Sequence, residues 1–366
     1  MYKIVKHIFH TTAVFSMLTL IPLHRSAADS TTYPAKEPFG QSRQHPQSNE
    51  NTGDSIRGEP RVRQSEQFVI NGLPSTLPFP DAVKLPVLMT TLITKDGVIV
   101  IPAAYLPVTV HEPQHNRAFD KVDYVYLFDR SNRKLLHLFC RVMYNETPDS
   151  NFAKRICSLI AISNSLYESK LGYSVTDNVP FNVWLTRDGD TGGEQWKNNL
   201  YLYNITVERS SIEWIREITH EFSHLAFPPI GGYSEPEYWA NGYIGERLIV
   251  RWIAESPIST AMVEKSWGTF SGYANFKTKL LDPPLALYRA HPKSKNYLLL
   301  NNEIGMRYLI GQILTIDDKY GGKVLGKVFR NLPKYRQANS TDIGDVLGYL
   351  LHRAAANKIG KHAVGT

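Results

Sequence analysis

Ser210–Phe227 reads SSIEWIREITHEFSHLAF, and this stretch decides the fold. Ile212, Ile215, Ile218, Phe222 and Leu225 recur at helical spacing and form an apolar stripe. Ser210 with Glu213 forms a capping box at its start, and Phe227-Pro228-Pro229 ends it. Within this helix lies His220-Glu221-Phe222-Ser223-His224. Residues four apart lie one above the other on a helical face, so both imidazoles can reach one ion. Glu221 stands about 100° around the helix from His220, beside such an ion rather than on it. That is where a base for a metal-activated water belongs.

A catalytic zinc takes three protein ligands and keeps one position open. Position 227 is Phe and position 230 is Ile, which excludes the HExxHxxGxxH arrangement. A carboxylate from the next helix is the remaining source, and the candidates are Glu235, Glu237 and Glu246. Ser234-Glu235-Pro236-Glu237 reads as an N-cap, an early proline and a capping-box Glu, which gives Glu235 and Glu237 a structural explanation. Glu246 has no basic partner one turn away and lies beside Ile249 and Val250. An ionised carboxylate there needs a positive partner, either the metal or a distant arginine such as Arg216. The expected zinc site is therefore His220, His224 and Glu246, with Glu237 in reserve and Glu221 as general base. A Tyr is a reasonable oxyanion donor, with Tyr233, Tyr238, Tyr243 and Tyr308 left open.

Around this motif the chain divides by composition. Lys3 and Lys6, an apolar stretch from Ile8 to Leu23 and Ser26-Ala27-Ala28 read as a signal peptide over residues 1–28. An exported protein, secreted or periplasmic, follows, with no stable membrane span after cleavage. Residues 29–67 are polar and poor in aliphatic side chains, the composition of a disordered linker. Residues 68–147 carry β patterning, with Leu85–Thr94, Val98–Val110, Asp123–Phe128 and Lys134–Val142 as strands. We read them as a β-rich N-terminal module or sheet extension. Residues 148–355 carry a helix over Asp149–Lys170, a strand at Phe181–Leu185 and a Tyr-rich edge strand at Leu200–Ile205. The motif helix, a second helix to Glu255 and C-terminal helices over Tyr297–Tyr320, Lys323–Leu332 and Asp342–Arg353 complete that part, and 356–366 is a tail.

The formal charge of +7 falls to about +4 once Lys3, Lys6 and Arg25 are removed, and no dense basic run accompanies it. Nucleic acid is not an expected partner. Cys140 and Cys157 read as a disulfide in an exported protein, or as two buried thiols in a reducing compartment.

From Asp149 to Arg353 the chain resembles the gluzincin branch of the zinc metallopeptidases. The HExxH motif carries that resemblance, supported by the order of strand, edge strand, motif helix and Glu-bearing helix. It implies an α+β fold, a zincin-like catalytic domain with a small mixed sheet and a helical subdomain. It also implies hydrolysis of a peptide or protein substrate at Zn²⁺. The family's downstream helix reads Trp-x-x-Glu, whereas this chain has Trp239-Ala240-Asn241-Gly242, with Gly at the ligand position. That departure keeps open a catalytically degraded zincin-like domain that binds a partner or a cell-envelope component. Gly193-Glu194-Gln195-Trp196 resembles the aminopeptidase Gly-x-Met-Glu-Asn element without its Met, or is a solvent-exposed hairpin turn.

Overall fold

A computed structural model describes residues 69–71, 91–92, 98–128, 135–173, 175, 180–333 and 338–363. The expected signal peptide and polar linker, 1–67, lie outside them. The strands are β1 (Val69–Asn71), β2 (Thr91–Leu92), β3 (Val98–His111), β4 (Ala118–Phe128), β5 (Leu135–Tyr144), β6 (Phe181–Leu185), β7 (Gly192–Trp196) and β8 (Asn199–Tyr203). They form one mixed sheet in the order β2-β3-β4-β5-β6-β8-β7, with β1 pairing β5. The fold is α+β, as expected.

β5 pairs β6 in parallel, Cys140 opposite Phe181, so the described strands β3–β5 extend the same sheet that carries the later strands, the second of the two readings offered for this region. One feature of the sheet differs from the sequence reading: the Tyr-rich strand β8 is internal, parallel to β6 on one side and antiparallel to β7 on the other. The edge is β7, where the sequence reads as an aminopeptidase-like element or a solvent-exposed hairpin turn over Gly193–Trp196. Gly192 and Gly193 offer no side chains to mark a strand, and β propensity is a property of side chains that pack.

The helices are α1 (Ser150–Leu171), α2 (Ser211–Ala226), α3 (Asn241–Glu255), α4 (Pro257–Trp267), α5 (Tyr273–Phe276), α6 (Asp282–Ala290), α7 (Lys295–Leu298), α8 (Glu303–Tyr320), α9 (Gly322–Arg330) and α10 (Ser340–Ala363). Side chains alternate across a strand. Val183, Leu185, Leu200 and Leu202 accordingly join the core formed with α1 and α2, including Ile160, Ile215, Ile218 and Phe222. Tyr201 and Tyr203 stack on one another and meet His115 edge-on. Cys140 on β5 and Cys157 on α1 are free thiols, both fully buried, rather than a disulfide.

α2 begins where the sequence placed it. The Glu213 carboxylate accepts from the Ser210 backbone N–H at 2.8 Å, closing the capping box. α3 does not. It starts at Asn241, and residues 230–240 form a pinched loop instead of its first turn. Ala240 N–H donates to Ile230 O at 2.7 Å, Gly231 bridges to Trp239, and Gly232 N–H donates to Tyr238 O at 3.1 Å. The Trp239 ring lies over Gly231, where an added methyl would come within 2.5 Å of it. This closure takes up the backbone groups that a helical turn would have used, so the capping-box pattern at Ser234 is not realised.

Candidate metal centre

His220 and His224 project from one face of α2 with Nε2 atoms 3.2 Å apart. The third group is Glu237, from the loop. Its Oε2 is 3.4 Å from His220 Nε2, and its Oε1 is 3.6 Å from His224 Nε2. These three residues are the one His/Cys/Asp/Glu cluster among the described residues that fits a metal ion. Separations of this size are those of ligands about 2.0–2.1 Å from a common ion at tetrahedral angles. The three side chains are 12, 2 and 8 % exposed, so the cluster is shielded from bulk water.

Glu246, the ligand expected from sequence, does not join them. Its Oε1 accepts from Arg216 Nε at 2.8 Å and its Oε2 accepts from Arg247. Its Oε2 also lies 3.5 Å from His220 Nδ1, the nitrogen that faces away from the cluster. Sequence spacing correctly required a positive partner for this buried carboxylate. The partners are two arginines, one of them on α2, thirty positions upstream. Burial alone would raise the Glu246 carboxyl, but Arg247 and Arg216 overturn that and hold it down at about 2. It therefore stays ionised and orients the His220 ring through Nδ1, as outer partners of metal-bound histidines do.

Asn241 plays the matching part for His224. Its Oδ1 is 3.3 Å from His224 Nδ1, and its Nδ2 donates to the backbone oxygens of His224 and Phe227. The next residue, Gly242, explains the departure from the family pattern. A methyl there would stand 2.4 Å from His224 Nε2 and 2.6 Å from His220 Nε2. The α3 backbone passes too close for any side chain at 242, and the carboxylate comes instead from the loop before it.

Glu221 is 2 % exposed, and its buried Oε2 has no hydrogen-bond partner among the described residues. Burial raises its carboxyl well above the usual range; His220 opposes this, while Glu217 and Glu237 add to it. Edge strand β7 covers it. A methyl at Gly193 would come within 2.5 Å of Glu221 Cγ and 2.9 Å of Glu217 Oε1. Glu217, one turn before Glu221, is buried and paired with Arg209 at 3.3 Å. Sequence reading passed over it, although its i−4 spacing from Glu221 puts both on one face.

The two histidines differ electrostatically. Burial drives His224 down to about 4, so it is a neutral lone-pair donor at pH 7. Burial pulls His220 the same way, but Glu237 and Glu246 prevail and raise it. Neutral imidazole, a carboxylate and a buried carboxylate beside them form a donor set suited to Zn²⁺. Glu194, singled out by the aminopeptidase resemblance, accepts from Gln114 Nε2 at 2.7 Å and from Tyr203 OH at 3.1 Å. Those bonds tie it to the Tyr201–Tyr203 side of the sheet, whereas neighbouring Gly193 faces Glu221.

No family model and no curated protein matches this sequence.

Proposed function

We propose that the chain is an exported zinc-dependent peptidase of gluzincin type in which His220, His224 and Glu237 hold the ion. The convergence of two Nε2 atoms and one carboxylate at 3.2–3.6 Å, beside the buried Glu221 whose Oε2 has no partner among the described residues, carries this reading. Zinc bound there would supply Lewis acidity toward a scissile carbonyl and an attacking water. Glu221 takes the proton of that water and delivers it to the departing amine nitrogen. His224, neutral at pH 7, and His220, turned by Glu246, present their Nε2 lone pairs to the ion.

β7 supports a peptide as the substrate. No strand pairs its outer edge among the described residues, and Gly192 and Gly193 leave its backbone open to close approach. An extended peptide can add there as a further strand. Of the four tyrosines left open by sequence, Tyr243 touches the site, its ring 4.6 Å from that of His220 and nearly perpendicular. Tyr308 is committed elsewhere, donating to His291 O at 2.8 Å and accepting from Ser294 N–H.

The competing reading, a binding module of zincin-like fold, loses the support of Gly242 once Glu237 supplies the third carboxylate, and the intact Glu221 opposes it. Zinc content measured beside turnover of a mixed-peptide substrate separates them. Wild type should carry close to one zinc per chain, and Glu237→Gln should lose it. Glu221→Gln should keep the metal and lose about 10²–10⁴-fold in rate. Wild-type protein as metal-free as His220→Ala would end the zinc reading. Zinc bound tightly without cleavage across a broad peptide library would leave the binding module.

A further inference from the structure

Glu237 reaches the histidines from a loop, and the tip of that loop is fastened at a distance. Ser234, three residues before Glu237, donates twice to one acceptor, the carbonyl of Asn301. Its backbone N–H is 2.6 Å and its Oγ 3.0 Å from that oxygen. Asn301 immediately precedes Asn302, the N-cap of α8, whose side chain accepts from Ile304 and Gly305 N–H. α8 is an eighteen-residue helix with a largely buried middle, so the acceptor sits on a rigid support. Gly231 N–H adds a second tie, to Ala338 O at 3.2 Å, just before α10.

We propose that the Ser234–Asn301 latch is a positioning device that sets the affinity of the centre for zinc, so that metal retention is governed from the C-terminal helices. This rests on Glu237 as the third ligand. A ligand on α3 would be held by the helix itself, but Gly242 closes that option. The loop must be preorganised from outside, and whatever order it lacks is subtracted from binding. Ser234 is exposed and contacts neither histidine, so its effect would pass through the loop alone.

The far side of the latch can be moved independently. Gly305 packs against the turn that presents the acceptor. A methyl there would come within 2.1 Å of Leu300 O and 2.7 Å of Leu300 C. Gly305→Ala should displace the Leu300–Asn301 backbone without touching the metal site.

The test is zinc affinity by competition with a chromophoric chelator on the full chain, together with thermal unfolding of the metal-stripped protein. Ser234→Ala removes one hydrogen bond and should weaken zinc binding about 2- to 10-fold. Ser234→Thr keeps the hydroxyl and should restore it. Gly305→Ala should weaken binding at least as much as Ser234→Ala. The metal-stripped midpoint of Ser234→Ala should equal that of wild type, which a general loss of stability would not give. Wild-type affinity in both Ser234→Ala and Gly305→Ala overturns the latch while leaving the centre intact. If wild type and Glu237→Gln bind zinc equally, or neither binds, the ligand assignment fails and the latch falls with it.

Discussion

Glu237 and Glu246 are both carboxylates beside His220, and their surroundings give them opposite duties. Glu246 is enclosed by Arg216 and Arg247 and faces Nδ1; Glu237 faces Nε2 of both histidines. Glu246→Gln leaves two arginines without their counter-ion, one of them buried. Breaking a buried pair on one side costs about 3–5 kcal/mol. We therefore expect a large fall in the thermal midpoint of Glu246→Gln, with zinc retained but about 10- to 100-fold more weakly held. Glu237→Gln should do the reverse, losing zinc with little change in the metal-free midpoint. Unfolding curves of both stripped proteins beside their zinc content check this; equal destabilisation by the two substitutions would contradict it. The two histidines, Glu221 and the need of Glu246 for a positive partner were all legible in sequence. Arg216 was also visible as an alternative partner for Glu246, but which glutamate meets which nitrogen was not, because the fit of Gly242 against the imidazoles is a tertiary distance.

Among the elements, α2 is the most fully legible, since its stripe and its cap are both local. Its capping box gives a measurable pH dependence. The Glu213 carboxyl is lowered, chiefly by the Ser210 hydroxyl and also by the Ser210 backbone N–H. A carboxyl lowered on folding contributes stability that is present above its ordinary value and lost as pH falls through the folded one. Ser210→Ala should therefore cost about 1 kcal/mol at pH 7. That difference should shrink as pH falls below the ordinary Glu value of about 4.3 and through the lower folded one, where Glu213 is protonated in both states. Denaturant unfolding of both proteins at pH 7 and pH 3 checks the sign; a difference that grows on acidification would refute it. The start of α3 shows the opposite case. Ser234-Glu235-Pro236-Glu237 satisfies every local rule for a helix start, yet the bonds of Ile230 with Ala240 and of Ser234 with Asn301 decide the outcome. Local pattern and tertiary closure compete there, and closure wins. β7 was lost for the same reason: what makes it a strand is β8 beside it, not its own side chains.

At the scale of the molecule, one sheet runs from β2 to β7, and the candidate centre sits under its last strand. Among the described residues no helix is long and apolar enough to cross a membrane. The strands of residues 98–144 were visible in sequence, but the choice between a separate module and a sheet extension was not, since a parallel pairing across an intervening helix leaves no local trace. The same loop that supplies Glu237 also carries Trp239, two residues on, with its ring resting on Gly231 and meeting Tyr238 edge-on at 4.8 Å. Indole emission responds to how firmly and how dryly the ring is held, so this loop has its own lamp. Among six tryptophans, only Trp239 lies between the motif helix and α3. Titrating zinc into stripped protein should change the emission with the stoichiometry of metal uptake, and Trp239→Phe should abolish that change while binding zinc normally. An unaltered signal in Trp239→Phe would place the responding indole elsewhere. With the lamp intact, uptake and release of zinc at the centre can be followed in real time, in solution, without a substrate.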